Sequence, residues 1–144
     1  MKNLIITLIF CCFFSAVFAQ EKSDEKIKSL KTAYITETLE LTSKEAEKFW
    51  PIYNEFERKT DSLYDKKWCS VKNGLETIDS LDEETAEDLL NEYLSMKEQS
   101  VTFKKDFVKR LKTVISSTKI LKLKKAEHDF HKILLEKYGE KKKK

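Results

Sequence analysis

Leu41-Thr42-Ser43-Lys44-Glu45-Ala46-Glu47-Lys48-Phe49-Trp50-Pro51-Ile52-Tyr53 is the stretch whose reading decides the fold. Thr42 offers a hydroxyl to the backbone N–H groups that open a helix, and Glu45, three residues on, reaches back to the Thr42 N–H. This capping box starts a helix, and Ala46, Phe49, Tyr53 and Phe56 then fall along one face of it. Leu63, Lys67 and Val71 roughly continue that face, while Trp50, Ile52, Tyr64 and Trp68 broaden the apolar surface. Pro51 removes one helical hydrogen bond and crowds the carbonyl of residue 47. Because the apolar periodicity runs through it, a bend is expected there and not an end.

Upstream, Ile27, Leu30, Tyr34, Ile35 and Leu39 predict an amphipathic helix over roughly Glu25 to Leu39. Downstream, Asn73-Gly74 is the expected fraying point, and Leu75 to Ser80 lead into the next element. Either Ser80 with Glu83, or Asp82, caps a helix whose stripe is Ala86, Leu89, Leu90, Tyr93, Met96, Ser100, Phe103, Phe107, Leu111 and Val114. That stripe lasts about 30 residues, or about 45 Å. Ser116-Ser117-Thr118 interrupts it. A final helix keeps Leu121, Leu123, Phe130, Ile133, Leu134 and Tyr138 for packing, with Gly139 as its stop. Apart from Gly74, Gly139 and Pro51 the chain has no glycine or proline, which argues against a many-turned β fold.

The N-terminus reads as a secretory signal peptide over residues 1–19. Lys2 gives a positive start, Leu4 to Phe14 is apolar except for Thr7, and Val17 and Ala19 are the small residues before cleavage. Its apolar run is short for crossing a bilayer of about 30 Å, so no transmembrane segment is expected after cleavage. The expected mature body is one helical domain over residues 20–139, followed by a disordered lysine tail at 140–144. Cleavage removes Cys11 and Cys12, leaving Cys69 without an intrachain partner. It is then either buried, with Trp68 over it, or available to bridge two chains. The formal charge of +3 belongs to the ends, because removal of Lys2 and of Lys141 to Lys144 leaves −2. A nucleic-acid binder would need a basic stripe and a cellular address to match, and this chain reads as exported instead, so no nucleic-acid partner is expected.

The capped segment Leu41 to Tyr53, placed after an amphipathic first helix in an exported chain, resembles the Spy/CpxP-like periplasmic proteins. Within them it is similar to the Bacteroidetes branch described as sensor of ECF-type sigma factor. Ile120-Leu121-Lys122-Leu123-Lys124-Lys125-Ala126-Glu127, continuing to Phe130, is similar to that branch's closing segment. The resemblance implies an all-α, four-helix hairpin-like domain that dimerises into a curved cradle. It implies periplasmic roles in envelope stress: holding unfolded clients, damping a membrane-bound sensor kinase or anti-sigma system, or sensing metal. The family's L-T-x-x-Q is Leu41-Thr42-x-x-Glu45 here, and its second copy has become Ile115-Ser116-Ser117-Thr118-Lys119. Ser116 keeps the capping role that Thr would have.

The chemistry expected of these residues is binding and not catalysis. Neither a His-Glu-x-x-His segment nor a Gly-rich phosphate loop is present. His128 and His131, three residues apart on a helix, can face one divalent metal, with Glu127 and Asp129 beside them. A third ligand must then come from another helix or chain. No other cofactor is expected. Trp50, Ile52, Tyr64 and Trp68 are the candidates for an exposed client or interface surface. Unfolded or misfolded envelope proteins presenting apolar and basic segments are the expected partners, with a membrane-bound signalling protein as the alternative. The wide apolar faces Ala46/Phe49/Trp50/Tyr53 and Ala86/Leu89/Leu90/Tyr93 predict a homodimer.

Overall fold

A computed structural model describes residues 25–139 of the chain. The signal peptide, Cys11, Cys12 and the lysine tail lie outside the described residues. Among these the fold is all-α, with no strand. Helix α1 covers 25–38, α2 Ser43–Leu63, α3 Cys69–Glu76, α4 Glu83–Leu111 and α5 Ser117–Gly139. A π-helical turn, Tyr64–Trp68, joins α2 to α3, and a 3-10 turn, Ile78–Ser80, follows α3. These elements fall into two compact units. One comprises the described residues up to 40 and from 121 on, and the other is Leu41–Ile120.

Helix starts follow local side-chain chemistry. Thr42 Oγ1 accepts from the Glu45 N–H at 3.2 Å while Thr42 N–H donates to Glu45 Oε2 at 2.9 Å, so both halves of the capping box are made. Asp82, not Ser80, caps α4 by accepting from the Thr85 N–H at 2.8 Å. Ser116 Oγ accepts from the Lys119 N–H at 3.2 Å. The helix runs through Pro51, which is exposed. The turn before Thr42 places Glu40 at φ 49°, a left-handed conformation that a side chain adopts at some cost and that no residue type there announces.

In the second unit α2, the π turn and α3 form one arm of a hairpin and α4 the other. Glu55 meets Arg110, Phe56 meets Phe107, Ser70 meets Glu92 and Gly74 meets Leu89, so the arms run antiparallel. The core begins with Phe49, which stacks on Tyr53 with centroids 5.5 Å apart. Phe56 lies on Phe107 at 4.2 Å. Phe49, Tyr53, Leu63 and Val71 are buried from one arm; Met96, Ser100, Phe107 and Leu111 from the other.

The stripe on the first arm contains one residue too many. From Phe49 to Leu63 the core positions alternate by four and three, but Val71 follows Leu63 by eight where seven would hold phase. At about 100° per residue an unbroken α-helix would turn Val71 off the seam. The π turn, with its i→i+5 bonding, absorbs the extra residue. This explains why Lys67 continues the stripe only roughly: it lies inside that turn, and its Nζ donates to Ser95 Oγ at 3.1 Å. The arm ends at Glu76, two residues beyond the expected Gly74.

In the first unit α1 and α5 pack antiparallel, with the rings of Tyr34 and Phe130 5.7 Å apart and Glu40 beside Lys122. Ile35, Leu39, Leu123, Ala126 and Phe130 are buried. Three residues expected to pack do not. Leu121 is 73% exposed, and Leu30 and Ile133 are exposed as well.

Carboxylates tied to cations make acid the weak side of this fold. Lys59 at 2.7 Å and Arg110 at 2.8 Å hold the Glu55 carboxyl at about 2. Lys119 at 2.8 Å, with the Thr42 N–H, lowers that of Glu45, and the Thr85 N–H lowers that of Asp82. A carboxylate depressed in the folded state stabilises it above the unfolded value, about 4.3. That contribution is lost as pH falls through the folded value. The melting temperature is therefore expected to change little from pH 7 to 5 and to fall between about pH 4 and 2. In Glu55→Gln, melts followed by circular dichroism show a shallower fall over that window. An unchanged slope would remove Glu55 from the acid response.

Candidate functional site

The second unit carries an apolar groove of about 520 Å³ between the end of the first arm and the start of α4. Its size lies within the roughly 300–1,000 Å³ of ordinary ligand sites. Val71 and Gly74 are the buried residues among its lining. Trp68, Ala86, Leu89 and Tyr93 add apolar surface. Leu75, Ile78 and Leu90 are 53%, 58% and 57% exposed. Ser70 Oγ donates to Glu92 Oε2 at 2.8 Å across the two arms.

Gly74 sets how closely the arms approach. A Cβ built there would lie 2.2 Å from Leu89 Cδ1, the flexible end of a groove-lining side chain. Gly74→Ala gains about 1 kcal/mol of helix propensity. Displacing Leu89 from its rotamer costs about 0.5–1.5 kcal/mol. Urea unfolding is therefore expected to change by less than about 1 kcal/mol, while Leu89 swings into the groove and uptake of an apolar dye falls. A loss above about 2 kcal/mol would mean that Leu89 cannot yield.

The groove's surroundings are strongly acidic. Glu76, Asp79, Asp82, Glu83, Glu84, Glu87, Asp88 and Glu92 lie between Lys72 and Lys97 with no basic residue among them. All but Glu92 are exposed. A second hollow of about 440 Å³ farther along the hairpin has the opposite character, lined by Arg58, Lys59, Lys66 and Lys67 with Leu63 and Phe103.

Of the four residues expected to form one surface, Trp68 alone lines the groove. Tyr64 is exposed in the same π turn. Trp50 is half-buried, its ring edge-on to Phe49 at 5.0 Å and to Tyr53 at 5.4 Å. Ile52 is half-buried beside Phe56 and Phe107. Sequence reasoning passed over Leu75 and Ile78, which it took for a lead-in. The available signal was Leu75, Ile78 and Leu81 at three-residue spacing beside a run of carboxylates. Leu90, expected in the core stripe, is exposed because Leu89 and Tyr93 take the seam. Cys69 is exposed as well, so Trp68 does not cover it.

His128 and His131 are both exposed on α5. The neighbouring carboxylates are engaged, Glu127 with Lys124 and Asp129 with Lys125. Among the described residues no group of three His, Cys, Asp or Glu side chains is placed to hold a metal ion. No described helix is long and apolar enough to cross a membrane. Comparison with protein-family models, with curated proteins and with solved structures finds no match to this chain.

Proposed function

We propose that this chain is a noncatalytic, exported envelope-stress protein that holds unfolded or partly folded clients on apolar helical surfaces. The observation that carries the reading is the open groove, lined by apolar side chains of which Leu75, Ile78 and Leu90 are more than half exposed. Contiguous apolar surface left open in a folded protein marks a place where another molecule is covered. The export-type N-terminus and the capped Leu41 to Tyr53 segment support a periplasmic setting.

The test is suppression of light scattering by several aggregating clients, heated or reduced, at near-stoichiometric protein. Suppression that falls in Ile78→Asp and Leu90→Asp supports the reading. No suppression across the clients removes it.

The proposed working unit is a homodimer. Besides its core stripe, α4 carries Leu94, Val101 and Val108 at seven-residue spacings, a second face. Leu94 and Val101 are 50% and 49% exposed. The acidic first half of α4 and its lysine-rich second half make that face complementary to an antiparallel copy of itself, as a two-fold axis requires.

A further inference from the structure

We infer that the groove between α3, the 3-10 turn and the start of α4 docks one amphipathic helix whose polar face is rich in lysine or arginine. The inference rests on the client-binding reading and names the kind of segment that the groove selects. It follows from how the groove is built and from the charge around it.

The groove is assembled from helices and a helical turn, so it has no strand edge to pair with an extended peptide. A strand laid on Val71, Leu75 and Leu90 would bury backbone N–H and C=O groups without partners. A helix arrives with those groups already bonded and offers apolar anchors at i, i+3, i+4 and i+7.

Charge then selects the sign of the occupant's polar face. Glu83 and Glu87 precede Leu90 by seven and three residues, which places them on its side of α4. Glu76 and Asp79 directly follow Leu75 and Ile78. The stretch between Lys72 and Lys97 holds eight carboxylates and no base, so an acidic helix or a fatty-acid headgroup is repelled. A cationic face is steered in and held in register.

The test uses the full chain carrying Trp50→Phe, so that Trp68 is the remaining tryptophan and reports on the groove. The probe is an 18-residue leucine/lysine amphipathic peptide, titrated against its leucine/glutamate counterpart and a proline-interrupted peptide of the same charge. The lysine peptide is expected to bind at least about tenfold more tightly than either. Its affinity should weaken as salt rises from about 50 to 300 mM. Ile78→Asp and Leu90→Asp, both at exposed positions, should each lower it about tenfold with the circular dichroism unchanged. Glu83→Lys with Glu87→Lys should reverse the charge preference.

Equal affinity for the three peptides, or undiminished binding in Leu90→Asp, overturns the inference. So does palmitate bound as tightly as the peptide, which would give the groove to a lipid, or self-association lost in Leu90→Asp, which would give it to a second copy. Aggregation suppression separates the two readings. If suppression persists without peptide selectivity, the inference alone fails. If the lysine peptide binds selectively without suppression, the selectivity of the groove stands and the client-holding reading fails.

Discussion

Phe49→Ala is expected to lower the unfolding free energy of the second unit by about 3–5 kcal/mol. Phe49 has no exposed surface, lies on Tyr53 and meets the edge of Trp50 at 5.0 Å. Removing its ring therefore deletes burial and leaves a void among rigid aromatic neighbours, which collapse poorly into it. A domain is stable by only about 5–15 kcal/mol, so this one change removes a large part of the margin. Urea unfolding followed by circular dichroism measures it directly. Trp50→Phe, at a half-buried position, should cost much less by circular dichroism. A loss under about 1 kcal/mol for Phe49→Ala would mean that the aromatic cluster is not what holds the hairpin.

Leu94→Asp combined with Val101→Asp should convert the proposed homodimer to monomer at micromolar concentration. Both side chains are exposed within one copy, so the fold is expected to keep its helicity. An antiparallel pair, however, would bury four new carboxylates across its seam without partners. Analytical ultracentrifugation with and without reductant reads the outcome. A wild-type dimer in both conditions that dissociates in the double variant supports packing along α4. A dimer seen only without reductant would assign the association to Cys69, whose thiol is exposed. A wild-type monomer in both conditions would sink the homodimer.

What could be read in the sequence was local. Thr42 with Glu45, Asp82 and Ser116 each act on an N–H three residues ahead, so spacing locates the starts of α2 and α5, while at α4 it left Ser80 open beside Asp82. The buried stripe from Met96 to Leu111 was legible because α4 keeps one helical phase throughout. The groove was not. It arises where residues about fifteen to twenty apart in sequence approach each other around Gly74, and no period within one helix reports that approach. Leu90 illustrates the limit. Leu89 and Leu90 are the same residue type at adjacent positions, and only the facing arm determines which of them is covered. The role of Lys119 was equally hidden. A lysine only donates and cannot imitate glutamine at a capping box. Its Nζ reaches Glu45 Oε2 at 2.8 Å instead, so the residue that departs from the motif ties the start of α5 to the start of α2.

The π turn at Tyr64–Trp68 makes the two arms unequal in their tolerance of insertions and deletions. Loss of one residue from those five would let the turn close into α-helix while Leu63 and Val71 stayed on the same side. Loss of one residue from the middle of α4 has no such outlet, and every apolar side chain beyond it would rotate by about 100° away from its partner. Changes in length can therefore accumulate on the first arm and would be selected against on the second. Such a change would also re-aim Tyr64 and Trp68, altering what the hairpin presents to a partner while its core stays in register.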